Sequence, residues 1–478
     1  MTIAEATPDF EDRGPSDRAF LGHPKGLGYL AFVEGCERFS YYSMQTLLML
    51  YMVRYLLLPE NASGVIGLDW LKGYYGFDGQ PLASKIFGDY TSLVYLTPIA
   101  GGFIADRWLG RRMTLILGGL LMTLGHFLMA FESSFLFALI ALIVGVGLFK
   151  GNIASQVGEL YKPEDLRRAM AFQIFYIAIN VSVIVAPLVA GTLGEKVGWH
   201  WGFGTAGVVM VIGLILYIMA GPWLPTEKRT PKVAGANAAK EPLVRQDWLR
   251  IVAVVALVPI LAVALLTNQQ IFNAYIVWAD TEFDLSLPAA LANLSFQMWL
   301  PFLGERVIGL PNPLPTSWMI TIDAIASFLM LAAVAAFYIW YGKKRQEPDE
   351  LGKMIIGSFF TIAGGLCLYM AAVTQGSGKI GLFWPLMFHL FNSIGFAHIL
   401  PVSLAFFTKL APKAINATIV GIYYLSFFGA NKIVGEVGTW YETMATPTFW
   451  LFHVGTAVVG LIAFVIFKLF LAKRLLGG

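Results

Sequence analysis

Four long stretches of the chain carry no charged residue, and this feature most constrains how the chain can fold. Residues 169–194, 251–279, 354–378 and 380–408 contain no Asp, Glu, Lys or Arg. Each stretch is longer than the roughly 20 residues that an α-helix needs to cross the hydrocarbon core of a bilayer. One such run is compatible with a buried helix of a soluble protein, whereas several in succession indicate a membrane protein.

The composition supports the same conclusion and indicates the type of spanning element. Of the 478 residues, 57% are hydrophobic and only 13% are charged, whereas soluble domains carry about 25% charged residues. The apolar runs are continuous and do not alternate in ten-residue segments, so helices are predicted rather than the strands of a barrel. We therefore expect an all-α integral membrane protein that is solvated by the lipid bilayer.

The hydropathy pattern predicts about twelve transmembrane helices. They lie near residues 29–56, 88–106, 113–131, 134–157, 168–193, 202–224, 251–279, 316–341, 354–374, 382–408, 414–440 and 447–467. A Pro-, Ala- and Lys-rich stretch divides them into two sets of six, and a flexible linker is expected there. The predicted segments are a cytoplasmic N-terminal segment 1–28, a bundle 29–224, a cytoplasmic linker 225–250, a second bundle 251–467 and a cytoplasmic tail 468–478.

The distribution of basic residues predicts the orientation. With the N-terminus in the cytoplasm, basic residues fall in every inner loop. Examples are Arg107, Arg111 and Arg112, then Lys162, Arg167 and Arg168, then Lys343, Lys344 and Arg345. The outer loops carry fewer, namely Lys72, Lys85, Lys196, Arg306 and Lys379. A multi-pass protein of the inner (plasma) membrane with both termini in the cytoplasm is therefore predicted.

Motifs of soluble enzymes are missing from the sequence. We find no HExxH, no phosphate-binding loop and no dinucleotide fingerprint, so an enzyme is not expected, and neither is a metal or a cofactor. The net charge of +3 reflects the bias of the inner loops and gives no reason to expect a nucleic-acid partner. We expect the protein to function as a monomer.

The six-plus-six pattern is typical of the major facilitator fold, in which two six-helix bundles rock about a site near the membrane midplane. Between spans 2 and 3 the chain reads GGFIADRWLGRRM, residues 101–113, which resembles the signature loop of that superfamily. An Asp followed by Arg residues at an inner helix junction can pair across a gate, so Asp106, Arg107 and Arg111 are candidate gate residues. Positive-inside anchoring is the alternative; it explains the arginines but not the Gly-Gly and Asp spacing.

Span 1 carries charges inside the membrane. Glu34, Glu37 and Arg38 are spaced i, i+3 and i+4, so they share one helix face, which Tyr41 and Tyr42 extend. A charge at the bilayer centre costs roughly 2.5–3.5 kcal/mol on insertion scales, so the three must pair and line a polar cavity. One guanidinium cannot satisfy two carboxylates fully, which favours protonation of one acid. The alternative is a buried ion-pair cluster that only fixes helix packing.

Three motifs resemble those of the proton-dependent oligopeptide transporter (POT) family. Glu34-x-x-Glu37-Arg38-Phe39-x-Tyr41-Tyr42 is similar to its ExxERFxYY motif, GGFIADRWLG to its second signature, and FYIAIN, residues 175–180, to its FYxxIN motif. The resemblance implies a proton-driven symporter of di- and tripeptides that works by alternating access. It implies proton coupling by Glu34 and Glu37.

The resemblance also implies the groups that bind the substrate. A peptide carboxylate needs a cation, and Arg38 and Lys150 are the candidates. Lys150 lies in GVGLFKGN and matches the family's span 4 lysine, although Gly151 follows where Pro is usual; a lysine that extends to the inner interface is the alternative. Asn180, Tyr41 and Tyr42 are expected to supply neutral hydrogen bonds.

The second half of the chain departs from the family pattern. Gln269 stands where span 7 usually has a Glu, Phe396 where span 10 has one, and Gln45 where span 1 often has an Arg. Gln269 is kept as a candidate substrate-binding residue. Asp323 is the only acidic or basic residue in predicted span 8, and we expect it to bind a proton or the substrate amine in place of the missing acids. The alternative is an acid that is capped by hydroxyls, by Lys150 or by Arg38.

Other polar residues in the second half are given structural interpretations. His389 and His398 are expected to be core histidines with satisfied hydrogen bonds, and Lys432 and Glu436, at i and i+4, a local helix pair. Two other functions stay open. One is a carrier of the same fold for another solute, such as nitrate or an amino-acid conjugate. The other is a non-transporting receptor, which the modest outer loops, about 57–87 and 280–315, disfavour.

Overall fold

Twelve long helices make up most of the part of the chain that the structure describes. The computed structural model describes residues 17–162, 165–225, 244–293, 295–300, 304–412 and 416–472. Within that part of the chain the long helices lie at the twelve predicted positions, and the all-α fold class is confirmed. They are α1 Lys25–Tyr51, α2 Gly79–Ile104, α3 Arg111–Leu128, α4 Phe135–Glu159, α5 Arg167–Ala186, α6 Trp199–Met219, α7 Arg245–Ala264, α8 Trp318–Gly342, α9 Glu350–Thr374, α10 Phe383–Leu410, α11 Asn416–Gly438 and α12 Thr446–Ile466.

Eight helices in the described part of the chain are long and apolar enough to cross a membrane by length and composition. These are α4 to α10 and α12, some with short extensions. The other four long helices contain charged residues within their bounds: the cluster on α1, Lys85 and Asp89 on α2, two arginines at the start of α3, and Lys432 and Glu436 on α11. These charged residues contribute to the lower hydropathy of the four helices.

Small residues let helices of the first bundle pack closely. A Cβ on Gly101 of α2 would lie 2.0 Å from the carbonyl oxygen of Gly147 on α4. The two backbones therefore touch at this point, as small residues allow in membrane helices. The contact gives a packing reason for the first glycine of the GGFIADRWLG motif.

Helix α7 is interrupted after Ala264. The chain continues as a short helix Leu266–Gln269, a 3₁₀ turn Gln270–Phe272 and a further helix Ala274–Glu282, with Asn273 in a non-helical conformation between the last two. Span 7 is therefore a broken helix, a feature that transporters place next to their binding sites. Helix α7 begins at Arg245, inside the segment 225–250 that the sequence predicts as a linker; residues 226–243 of that linker lie outside the described residues.

A β-hairpin lies between α7 and α8, where only a loop is predicted. Strands β1 Ser295–Leu300 and β2 Gly304–Gly309 pair antiparallel, with Ser295 opposite Gly309. The other described elements are helices and turns.

The two bundles, α1 to α6 and α7 to α12, pack together at the end of the molecule where α1 finishes. On α2 and α11, a Cβ on Gly88 would lie 2.5 Å from Gly435 Cα. In the same region the Ser84 hydroxyl donates to Asn273 Oδ1 at 2.7 Å, which joins α2 to the interruption in α7. We call this end, defined by Ser84, Gly88, Asn273 and Gly435, the closed end.

Candidate functional site

The acidic pair and the arginine of α1 form one buried cluster. Arg38 Nε lies 2.5 Å from Glu37 Oε2 and 3.2 Å from Glu34 Oε1. All three side chains are at most 5% exposed. The helical spacing therefore brings the three groups together as the sequence predicts.

The cluster does not satisfy all of its own hydrogen-bonding groups. Among the described residues, Glu34 Oε2, Glu37 Oε1 and one terminal nitrogen of Arg38 have no partner. Buried polar atoms without partners are rare in folded proteins, and each one costs free energy. The cluster therefore has the capacity to bind a proton, water or a polar ligand.

Lys150 of α4 lies among tyrosine rings. Its Nζ is 4.7 Å from the ring centroid of Tyr95 and 5.9 Å from those of Tyr41 and Tyr424. Tyr424 belongs to α11 in the second bundle, so the ammonium lies where the bundles meet. Lys150 has no ion pair with any described residue, which leaves its charge available to an anionic ligand.

The predicted tyrosines lie beside this cation and the α1 cluster. The Tyr41 ring lies 5.3 Å from the guanidinium carbon of Arg38 and packs edge-on against Tyr42 at 5.1 Å. Tyr41 therefore contacts both predicted cations.

Asn180 and Gln269 already use part of their amide groups. Asn180 Nδ2 donates to the Tyr176 carbonyl at 2.8 Å on its own helix, α5. Gln269 Nε2 donates to Asn268 Oδ1 at 3.1 Å, in the interruption of α7. Each keeps a carbonyl oxygen and one N–H for another partner.

Gln270, which follows Gln269, has more unused hydrogen-bonding capacity. It is fully buried, and both its Nε2 and its Oε1 have no partner among the described residues. Gln269 is predicted as a site residue from its position at the usual acid of span 7, and no motif in the sequence points to Gln270. The run of polar residues in an otherwise apolar span was the signal that could have identified it.

The candidate gate residues bond within the first bundle. Arg111 NH2 lies 3.8 Å from Asp106 Oδ1, and Arg111 also pairs with Glu159 at the end of α4. Arg107 lies over the Phe103 ring at 5.6 Å. In this structure the Asp106–Arg111 pair therefore joins neighbouring helices of one bundle, and its role as a gate between bundles stays a prediction.

Asp323 has a partner that its sequence position does not predict. Its Oδ1 lies 2.8 Å from Nδ1 of His389 on α10, and His389 Nε2 lies 2.7 Å from the Tyr275 hydroxyl. The interpretation of His389 as a core histidine missed this pairing, because residues 66 and 114 positions apart carry no local sequence signal. Asp323 is not brought into ion-pair contact with Lys150 or Arg38.

The ion pairs of α11 cross between the bundles at the closed end. Lys432 bonds to Asp89, and Glu436 bonds to Lys85, both on α2. The interpretation of Lys432 and Glu436 as a local helix pair is therefore wrong. Spacing of i and i+4 permits such a pair but cannot show that a neighbouring helix offers partners for both.

A second cross-bundle contact involves the start of α8. Glu195 accepts from the backbone N–H groups of Thr316 and Ser317, both at 2.8 Å. A carboxylate at a helix N-terminus satisfies free N–H groups and interacts favourably with the helix dipole. Arg54, which follows α1, lies 3.1 Å from Asp280 in the second bundle. Polar contacts from three helices of the first bundle, or from their extensions, thus hold the closed end.

Comparisons with known proteins give one consistent result. The family model described as the POT family matches residues 112–266. An uncharacterised transporter of Bacillus subtilis (strain 168) is 29% identical, with 94% of this chain and 93% of the relative aligned. A di-/tripeptide transporter of Lactococcus lactis subsp. cremoris is 27% identical over 94% of this chain and 96% of the relative. A crystal structure of the peptide transporter POT in complex with sulfate superposes with a TM-score of 0.78 at 25% identity, covering 98% of this chain and 99% of the other.

Proposed function

We propose that the chain is a member of the POT family of membrane transporters, whose family model it matches over residues 112–266, and that it is a proton-coupled symporter of di- and tripeptides that works by alternating access. The observation that carries the proposal is a set of incompletely paired charges within the helices of the first bundle. These are the cluster Glu34, Glu37 and Arg38, and the unpaired ammonium of Lys150. Such groups are costly in a membrane, and those that occur there commonly bind a transported ion or substrate.

The α1 cluster supports proton binding. Two carboxylates and one guanidinium sum to a single negative charge, and each carboxylate has an oxygen without a described partner. One added proton would neutralise the cluster and supply a donor for one of these acceptors. Protonation therefore stabilises the cluster while it is buried, which is the property required of a coupling site.

Lys150 supports binding of the peptide carboxylate. A free peptide carries one carboxylate and one ammonium, and the carboxylate needs a cation that is not already paired. Lys150 provides that cation where the two bundles meet. Arg38, held by Glu37 and Glu34, becomes available to the carboxylate only when one acid is protonated, which would couple the proton to the peptide.

The arrangement of the bundles supports alternating access. Cross-bundle contacts hold the closed end, and with both termini in the cytoplasm, as the basic loops predict, this end faces outward. The proposal therefore assigns the structure to a state that is closed toward the outside. Opening would require the contacts of α1, α2 and α5, or of their extensions, with the second bundle to break at the closed end.

Uptake of labelled dialanine into proteoliposomes tests the function. An inward proton gradient should drive accumulation above equilibrium, and a protonophore should abolish it. For each coupled proton, one pH unit supports about a tenfold accumulation. Failure of purified, stable protein to take up dialanine, or uptake that ignores the proton gradient, would overturn the proposal.

A carrier of the same fold for another solute is a second candidate. The observation that favours it is the absence of an acid at residues 269 and 396, where the family's acids usually face the substrate amine. Competition of dialanine uptake by nitrate and by amino-acid conjugates separates the two. A peptide carrier should be inhibited by unlabelled dipeptides and tripeptides and not by nitrate.

A further inference from the structure

We propose that Asp323, His389 and Tyr275 form a second proton-binding site, in the C-terminal bundle, with His389 as the group that receives the proton. The inference rests on the proposed proton-coupled function and adds a residue to its machinery. The three side chains come from α8, α10 and the helix Ala274–Glu282. We call them the C-terminal triad.

The triad is a continuous chain of two hydrogen bonds. Tyr275 OH lies 2.7 Å from His389 Nε2, and His389 Nδ1 lies 2.8 Å from Asp323 Oδ1. If the hydroxyl donates to Nε2, then Nδ1 carries the hydrogen and donates to the carboxylate. The imidazole is then neutral, and the triad carries one negative charge on Asp323.

Burial makes that negative charge unfavourable. The His389 side chain is 1% exposed and that of Asp323 is 14% exposed, while Tyr275 is fully buried. Asp323 has no lysine or arginine partner among the described residues. An ionised carboxylate within a membrane helix is costly when its only partner is a neutral imidazole. Uptake of a proton therefore lowers the free energy of the site.

The proton has a place in this geometry. When it binds Nε2, the Tyr275 hydroxyl turns and its oxygen accepts from the new N–H. The imidazolium and the Asp323 carboxylate then form a neutral ion pair. No covalent bond other than N–H forms, and the bound proton leaves by the reverse step. Imidazole is the side chain best suited to such a switch near neutral pH.

Other titratable groups on the surrounding helices have their own partners. On α10, His398 bonds to the Ile394 carbonyl. On α12, Nδ1 of His453 bonds to the Phe449 carbonyl, and Nε2 has no partner among the described residues. On the helix that carries Tyr275, Asp280 pairs with Arg54 and Glu282 accepts from Gln375. Of the three histidines His389, His398 and His453, His389 is the one that contacts a carboxylate.

The triad is connected to the closed end through two of its helices. Two residues before Asp323, the Thr321 hydroxyl donates to the Ile184 carbonyl of α5 at 3.1 Å. Five residues after Tyr275, Asp280 bonds to Arg54 and to Thr316. A change of charge at the triad therefore acts on helices that hold the bundles together, which is what coupling to alternating access requires.

Steady-state accumulation of dialanine under a proton gradient tests the inference. With two coupled protons, replacing one proton site should lower the accumulation ratio about tenfold for each pH unit of gradient. His389→Gln, which cannot take up a proton, should show this loss and flatten the pH dependence of uptake. Exchange of labelled for unlabelled dialanine without a gradient should persist in this variant.

His398→Gln is the matched control, since His398 is a buried histidine on the same helix without an acidic partner. It should keep the wild-type accumulation ratio and pH profile. If His389→Gln behaves like His398→Gln, the inference is wrong. Should His389→Gln fail to fold, as judged by its size-exclusion profile and thermal unfolding, Tyr275→Phe replaces it. That variant keeps the ring and should shift the pH profile, and an unchanged profile would overturn the inference.

A spectroscopic readout separates this inference from the proposed function. The ¹⁵N signals of labelled histidine, compared between wild type and His389→Gln, identify the His389 resonance. The resonance should change on protonation of the ring and should shift when Asp323 is replaced by Asn. If dialanine is not transported but this titration is observed, the proposed function fails and the proton site stands. If the His389 resonance does not titrate, the site fails whatever the substrate.

Discussion

Arg38 serves both acids of α1 through the same nitrogen, and this sets the effect of replacing either acid. Glu37 accepts the shorter contact, at 2.5 Å, and Glu34 the longer one, at 3.2 Å. If Glu37 is made permanently neutral, Arg38 keeps Glu34 as its partner, so the cluster remains electrically balanced. The cluster then carries no surplus negative charge that a proton could neutralise.

Glu37→Gln should therefore uncouple this site without abolishing substrate exchange. The accumulation ratio for dialanine should fall about tenfold per pH unit, while exchange in the absence of a gradient continues. Glu282→Gln, an acid that accepts from Gln375 at the end of span 7, is the control and should leave the ratio unchanged. Combined with His389→Gln, the Glu37 variant should lose all response to the gradient. A residual response in the double variant would contradict the assignment of coupling to these two sites.

Lys150 is expected to determine recognition of the peptide carboxylate. Loss of a hydrogen bond to a charged group costs about 1.5–3 kcal/mol, which corresponds to roughly tenfold to a hundredfold in affinity. Lys150→Gln should weaken competition by dialanine by this factor. Dialanine amide, which has no carboxylate, should compete poorly with the wild type and should not be weakened further in the variant. Equal weakening of both ligands would show that Lys150 acts by packing.

At the scale of helices, the sequence predicts elements well and their interruptions poorly. Span 2 is predicted to start at residue 88 because charged residues precede it, yet α2 begins at Gly79. Lys85 and Asp89 are tolerated in the helix because α11 supplies partners, and such partners cannot be read from local hydropathy. The interruption of α7 was missed for a similar reason: it contains neither Gly nor Pro, and Asn273 there bonds to a distant helix.

The contact of α2 with α11 depends on two glycines. A side chain at Gly88 would overlap Gly435 and the Asn431 carbonyl, and overpacking costs about 1–3 kcal/mol. Gly88→Ala should therefore shift the population roughly five- to a hundredfold away from the closed-end arrangement. The readout is labelling of Ser84→Cys by a membrane-impermeant maleimide, after Cys36 and Cys367 are replaced by Ala. Labelling should rise in the Gly88 variant.

Gly204→Ala serves as the control for this substitution. Gly204 lies in α6, and an added Cβ there would meet no atom within 4 Å. Its labelling should match that of the parent protein, and its stability should be unchanged or higher because Ala favours helix over Gly. Equal labelling in the Gly88 and Gly204 variants would show that this contact does not hold the closed end.

At the scale of the whole molecule, the order of helices follows from hydropathy, whereas the state of the transporter does not. The α1 cluster is predictable because charges at positions i, i+3 and i+4 share a helix face. The C-terminal triad was not predicted because its members meet only after three separate segments pack. The closed end likewise depends on residues of both halves, such as Asp89 and Lys432, which are individually unremarkable in a sequence. Features that depend on long-range packing therefore need the structure.

The closed end must open during each cycle if substrate reaches the site by alternating access. Asp89 and Lys432 face each other across it, so a cysteine at each position can be joined by a short, reducible bis-thiol reagent. Cross-linking of Asp89→Cys/Lys432→Cys, again without Cys36 and Cys367, should stop both gradient-driven uptake and exchange of dialanine, and reductant should restore both. Each single-cysteine variant treated with the reagent controls for modification without a link. The cross-link does not join the helices at the opposite end. Continued exchange in fully cross-linked protein would therefore mean that substrate does not pass through the closed end. In that case, rocking of the two bundles would not be the mechanism.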